Sequence, residues 1–292
     1  MRTLPLSVSG VLVGTALANY YGYSNPLIFM LSLFTTMGFQ ITSNFANDYG
    51  DGVRGTDNED RIGPPRALQS GLLTRQALKK GIWVSVIVDV LLVISLIYVA
   101  FGSQNLPVSL LFLALGGASV WAALKYTIGE SAYGYKGLGD VFVFVFFGLL
   151  AVLGTMFLYT KWLTLMALWP AMAIGLLSAG VLNLNNLRDF VSDKKSRKNT
   201  LVVHMGFARG KTYHYLLLLS AFVCIFVFIT MNLDGWQAYL PLLAFAPIFL
   251  HIYKVYKTKN PGQLDSELKK LALSTFFLAV FMYISCNKFL YF

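Results

Sequence analysis

Residues 43–71 read SNFANDYGDGVRGTDNEDRIGPPRALQSG. They interrupt a chain that is otherwise mostly hydrocarbon. An apolar run covers residues 26–46 and another covers 82–101, so the passage marks a helix leaving one apolar layer and a second helix entering it. Asn44, Asn47, Asp48 and Asp51 recur three and four residues apart, which sets them on one face of a helix. Arg54, Arg61 and Arg66 follow closely. Packed acid beside packed base at a helix exit calls for a chemical explanation.

The rest of the chain sets the class. Of its 292 residues 57% are hydrophobic and 12% charged, against about 25% charged in soluble domains, and the mean hydropathy is +0.64. The expectation is one all-α integral membrane domain over 1–292, with about nine spans: 4–22, 26–46, 82–101, 106–124, 138–159, 165–186, 212–231, 236–253 and 268–287. Each approaches the roughly 20 residues that cross a bilayer core. The apolar runs are continuous, whereas membrane strands alternate. All but two of the 23 Lys and Arg, Lys161 and Lys288, fall on one side of this layout. The positive-inside rule makes that side cytoplasmic. The net charge of +10 is thereby a topology signal and needs no nucleic-acid partner. Cys224 and Cys286 sit in apolar runs and are expected to be inert packing residues. The first run and Thr15-Ala16-Leu17-Ala18-Asn19 imitate a cleavable signal; an uncleaved first helix is expected.

A second acidic helix end follows four spans later. Asn185, Asn186, Arg188, Asp189 and Asp193 lead into a run of bases that includes Lys198. Asp189 and Asp193 stand four apart and share a face, so each half of the bundle presents one acidic end. Clustered carboxylates repel unless a cation neutralises them. All-oxygen donors with few His and no loop Cys point to Mg²⁺ rather than zinc. Mg²⁺ held by one or two carboxylates usually completes its shell with water and phosphate, and nearby Arg and Lys suit phosphate oxygens. At the mouth of an apolar bundle the matching ligand is a lipid diphosphate. Loss of that diphosphate leaves an allylic cation, which needs dry aromatic walls. The 23 Phe and 16 Tyr, with Val141-Phe142-Val143-Phe144-Val145-Phe146-Phe147, offer such walls.

These residues resemble the UbiA-type superfamily of membrane aromatic prenyltransferases over nearly the whole chain. The pattern N-x-x-N-D-Y-x-D-x-x-x-G-x-D of its menaquinone-making branch matches Asn44 through Asp57, with Gly55 where many other members carry Asp. Arg61-Ile62-Gly63-Pro64, Gln69-Ser70-Gly71, Tyr126-Thr127 and Gly137-Leu138-Gly139-Asp140 resemble it too. So do Arg2-Thr3-Leu4-Pro5 and the segment from Asn185 to Leu201. Arg197 stands where that branch usually has Gly, and His204 where Arg is common.

The resemblance implies nine helices around a central cavity, in a multi-pass inner-membrane enzyme with cytoplasmic site loops. It implies transfer of a polyprenyl group from polyprenyl diphosphate to 1,4-dihydroxy-2-naphthoate, releasing diphosphate and CO2 and giving demethylmenaquinone. Asp48, Asp51 and Asp57 would serve one Mg²⁺, and Asp189 and Asp193 a second. Asn44 and Asn47 would orient ligands, and Arg54, Lys136, Arg188 and Lys198 would hold diphosphate. Tyr126 and Tyr135 would border the cation or acceptor. Three alternatives make different predictions. A 4-hydroxybenzoate prenyltransferase would space the last Asp differently. A CDP-alcohol phosphotransferase would need a D-G-x-x-A-R segment that Asp51-Gly52-Val53-Arg54 does not supply. A transporter would place acids at the midplane, where Asp89 lies; Asp89 is expected instead to be a hydrogen-bonded structural residue facing another helix.

Overall fold

The computed structural model describes residues 3–56, 62–63, 66–103 and 105–287. Asp57 and Arg61, both assigned roles from sequence, lie outside the described residues. Among the described residues nine apolar helices run in the expected order. They are α1 (Leu4–Tyr20), α2 (Pro26–Arg54), α3 (Arg75–Phe101), α4 (Leu106–Lys125), α5 (Gly139–Thr160) and α6 (Leu165–Arg188), then, after two short helices, three more. The short ones are α7 (Phe190–Lys195) and α8 (Leu201–Met205). The last three are α9 (Phe207–Asn232), α10 (Trp236–Lys257) and α11 (Pro261–Cys286). Eight are long and apolar enough to cross a membrane; α1 is shorter. It is nonetheless built into the bundle, with Leu6, Val13, Ala16 and Leu17 buried in the main core.

Local chemistry sets the helix ends. Asn25 accepts from the amides of Leu27 and Ile28, and Pro26 takes the first helical position of α2. α2 then runs to Arg54, well past the end expected at residue 46. The acidic motif from Asn44 to Asp51 therefore lies within its last three turns. Gly55 ends it in the left-handed region, at φ 71°, with its N–H on the Asp51 carbonyl. Thr74 caps α3, accepting from Ala77 N at 3.1 Å.

α6 is the centre of the bundle. Ile174, Leu177, Leu184 and Leu187 are fully buried, and the helix packs against α1, α5, α9 and α11. Its contact with α5 is close: a Cβ on Gly148 would fall 2.5 Å from the Gly175 Cα. The middle of α5, Phe144–Gly154, is wound as a π-helix, whose wider turns leave room for that approach and often mark functional sites. Asp89 lies buried at the α2–α3 contact and accepts from the Thr42 hydroxyl at 2.6 Å, the hydrogen-bonded role expected of it. Gly38 stands directly against the other carboxylate oxygen, where any side chain would collide. Cys224 and Cys286 are buried and free.

Candidate active site

The two acidic ends meet over one cavity of about 420 Å³. From α2 its wall takes Gln40, Ser43, Asn44, Asn47 and Asp51; from α6 it takes Ser178, Asn185, Asn186 and Arg188; Lys198 and Arg66 reach in from the connecting segments. The helical spacing read from sequence brings these groups to one space because α2 and α6 both end beside it. Farther in, the walls are Leu6, Phe39, Tyr126, Tyr133, Phe142 and Phe146.

Asp51 is the meeting point. It is 3% exposed. One oxygen accepts the Tyr135 hydroxyl at 2.7 Å; the other lies 3.5 Å from the Arg66 guanidinium and 3.8 Å from Lys198 Nζ. Lys198 belongs to the second motif, so this ion pair joins the two. The Lys198 ammonium also sits 5.3 Å from the centre of the Tyr135 ring. Burial works against its charge, but Asp51 and Asp193 outweigh it and hold its pKa above the usual lysine value.

The backbone brings Lys198 there. Its N–H bonds the Asp193 carbonyl at 2.9 Å, and the preceding Arg197 takes a left-handed φ of 56°. Glycine, the residue usual at that place in the branch resembled, would adopt this conformation without strain.

The second acidic end is tighter than sequence suggests. α6 stops at Arg188, Asp189 forms the junction, and α7 carries Asp193. Arg188 is 2% exposed. It grips Asp189 with two bonds of 2.7 and 2.6 Å, Asn185 with one of 2.8 Å, and Asp265 of α11 with another of 2.8 Å. It lines the cavity with its donors already engaged by carboxylates. Asp193 is buried, and its carboxyl is pushed up to about 7, first by burial; Lys198 offsets part of this, while Asp189 and Asp51 add to it.

Other expected residues fall elsewhere. Asp48 turns away from the cavity and accepts from the Ala67 and Leu68 amides at 3.1 and 3.3 Å, tethering the segment that carries Arg66. Arg54 lies at the exposed rim, stacked 4.1 Å over Tyr135 and bonded to the Gly129 carbonyl. Lys136 is exposed and outside the cavity wall, since the turn Tyr133–Tyr135 directs its tyrosines inward instead. Tyr126 does line the cavity. Its hydroxyl is pushed up by burial, then by Asp140, Asp51 and Asp193, and stays protonated. Tyr135 is held behind Asp51.

Sequence reasoning missed two features. One is Asp265, hidden because α11 comes long after the motif it joins. The other is a polar group in the inner wall: Ser7 donates to Gln40 Oε1 at 2.5 Å, and Gln40 Nε2 donates to Thr3 Oγ1 at 2.9 Å. Gln40 stands one turn before Asn44, so the α2 motif's own period, extended backwards, would have found it.

Among the described residues no three His, Cys, Asp or Glu side chains stand close enough to hold a metal by themselves. The donor set nevertheless fits Mg²⁺, which needs only one or two carboxylates when phosphate and water supply the rest. Asp51, Asp189 and Asp193 are hard oxygen donors. The Asp193 carboxyl is pushed up first by burial, and the nearby Asp189 and Asp51 carboxylates add to this. The Asn44 side-chain nitrogen is buried without a partner.

The aromatic wall is ordered. Phe142 stacks on Tyr133 at 3.8 Å and on Phe146 at 6.1 Å. Phe142, in the α-helical start of α5, and Phe146, Phe147 and Ala151, in its π-helical turns, line the cavity. Taken alone, the alternating run from Val141 hides this spacing.

A sequence model of the UbiA prenyltransferase family matches residues 7–284. A protein of Escherichia coli (strain K12) named 1,4-dihydroxy-2-naphthoate octaprenyltransferase is 45% identical over 249 residues, spanning 85% of this chain and 80% of its own. One of that name from Haemophilus influenzae is 41% identical over 275 residues, spanning 93% and 88%. The solved structure of a UbiA homolog from Aeropyrum pernix superposes with a TM-score of 0.73 at 13% identity, covering 96% of this chain and 97% of its own. A homolog from Archaeoglobus fulgidus bound to DMAPP and Mg²⁺ gives 0.67 at 14% identity, covering 99% and 98%. At such identities the structures establish likeness of fold.

Proposed function

The chain belongs to the UbiA prenyltransferase family, and from that premise we propose that it transfers a polyprenyl group to 1,4-dihydroxy-2-naphthoate, the prenylation step of menaquinone biosynthesis. The observation that carries the reading is the ion pair of Asp51 with Lys198, which joins both acidic helix ends above an aromatic-walled cavity. The naphthoate acceptor follows from the two bacterial relatives, whose matches span most of both chains.

Mg²⁺ bound at the acidic ends would supply charge neutralisation that makes diphosphate a better leaving group. Asp51 would hold one ion, and Asp189 and Asp193 a second. Asp57 completes the first set on the motif alone. Lys198 and Arg66 hold diphosphate oxygens at the mouth, with Asn44 and Asn47 donating beside them. The C–O bond of the prenyl diphosphate breaks, and its electron pair leaves with the diphosphate. The allylic carbon is then left against Tyr126, Phe142 and Phe146, whose ring faces stabilise positive charge and exclude water. The electron-rich ring of the acceptor forms the new C–C bond. Loss of the carboxylate as CO2 returns its electron pair to the ring, giving the demethylmenaquinone skeleton in its hydroquinone form. Gln40, fixed by Ser7 and Thr3, offers the acceptor's oxygens a hydrogen-bond partner within an otherwise apolar wall. The charge pattern supports a site on the cytoplasmic side of the membrane, taken here as the cell's inner membrane.

Purified protein with Mg²⁺, a polyprenyl diphosphate and both acceptors in competition tests this reading. Prenylated naphthoate is expected. Prenylation of 4-hydroxybenzoate alone would overturn the acceptor assignment, and no product from either would overturn the activity.

A further inference from the structure

We propose that Asp265, near the start of α11 and outside both acidic motifs, is a positioning residue that keeps Asp189 oriented for the cation, and only partly neutralised by Arg188, by sharing that guanidinium with it. The proposal rests on the Mg²⁺ reading above.

The argument starts from a buried Arg188 beside a buried acid. A guanidinium bonded twice to one carboxylate makes a neutral, self-satisfied pair. Asp189 in such a pair alone would have little reason to bind a metal. Asp265 changes the balance. It takes the far edge of the same guanidinium, through Nη1 at 2.8 Å, while Nε and Nη2 face Asp189. The trio of Asp189, Arg188 and Asp265 keeps a net negative charge. Asn185 accepts from the same Nη2 and donates to Asp189 Oδ2 at 3.4 Å. The guanidinium is thus gripped on three sides, and it fixes both Asp189 oxygens in one plane.

The placement of Asp265 is inexpensive for the fold. It opens the α-helical part of α11, Asp265–Cys286, where the helix field favours a carboxylate, and its side chain is 32% exposed. Buried Arg188, in contrast, would be costly to leave with one flank unbonded. Partners of this kind, which orient a metal-binding group from behind, typically carry about 10- to 100-fold in metal affinity.

The test is direct binding. Mn²⁺ is titrated by electron paramagnetic resonance into the purified full chain with inorganic diphosphate, for wild type, Asp265→Asn and Asp265→Glu. Asp265→Asn is expected to weaken Mn²⁺ binding by about 10- to 100-fold. In the prenyl-transfer assay it should raise the Mg²⁺ concentration for half-maximal rate by a similar factor, with kcat largely recovered at saturating Mg²⁺. Asp265→Glu, which keeps the charge, should restore affinity to within about threefold. Unchanged Mn²⁺ affinity in Asp265→Asn, with only a lowered Tm, would overturn the proposal and leave Asp265 a structural tie between α6 and α11. Should Asp265→Asn fail to insert, Asp265→Glu still decides, since a loss above tenfold with the charge kept would also overturn it. If wild type binds no Mn²⁺ with diphosphate, the metal reading itself fails, which is a different result.

Discussion

Asp51→Asn removes one negative charge at the meeting point of the two helix ends and almost nothing else. The amide has the shape of the carboxylate and still offers an oxygen to the Tyr135 hydroxyl, now 2.7 Å away. What disappears is attraction. For Lys198 at 3.8 Å that attraction is about 4 kcal/mol at an effective dielectric of about 20. Both side chains are nearly buried, so solvent screens it little. A divalent ion on the same carboxylate would feel at least as much. A loss of about 4 kcal/mol from the metal–diphosphate complex and the transition state derived from it is about a thousandfold in kcat/KM. Relief of repulsion between Asp51 and Asp193 offsets part of any loss in stability, so the variant should insert and fold. The assay is prenyl transfer to the naphthoate by purified protein, with size-exclusion and thermal-melt controls. A folded Asp51→Asn protein retaining more than about a tenth of wild-type kcat/KM would refute the reasoning, because the charge would then not be central.

Four further outcomes follow from particular contacts. Thr42→Val removes the donor to buried Asp89 and should cost about 1–3 kcal/mol of stability, read as a lower Tm in detergent with kinetics unchanged; an unaltered Tm would show that the bond contributes little. Arg197→Gly relaxes a left-handed residue and should raise stability by about 1 kcal/mol, whereas a lower Tm would contradict the strain. Gln40→Leu keeps the volume and removes the amide. It should raise the acceptor KM about tenfold and leave the prenyl diphosphate KM within about twofold, in line with a lost hydrogen bond to a polar substrate, and equal changes in both would remove Gln40 from acceptor binding. Lys136→Ala, on an exposed side chain outside the cavity wall, should leave turnover within about twofold, a small surface effect, and a larger loss would return Lys136 to the diphosphate contacts.

Much of this fold is plain in the residue pattern, because apolar runs of membrane length have little choice but to become helices. The acidic ends were legible for the same reason: spacings of three and four mean a shared face whatever the partner. Helix periodicity does not say which way a side chain turns at a helix end. Asp48 and Asp51 are three apart, yet one tethers the Ala67–Leu68 backbone and the other meets Lys198. Nor does it reveal partners from distant helices, which is how Asp265 and the Gln40–Ser7–Thr3 group escaped notice. The run from Val141 to Phe147 alternates as a strand would, whereas the helical winding of α5 sets Phe142 and Phe146, four apart, on one face toward the cavity.

The most direct test follows the atoms of one turnover. Purified protein is given 1,4-dihydroxy-2-naphthoate labelled in its carboxyl carbon, a polyprenyl diphosphate and Mg²⁺, and labelled CO2, diphosphate and prenylated naphthalene are measured together. The account predicts that all three appear in equal amounts, that removing Mg²⁺ with a chelator abolishes all three, and that adding it back restores them. Diphosphate released without labelled CO2 or prenylated product, or full product formation with the metal removed, would contradict it.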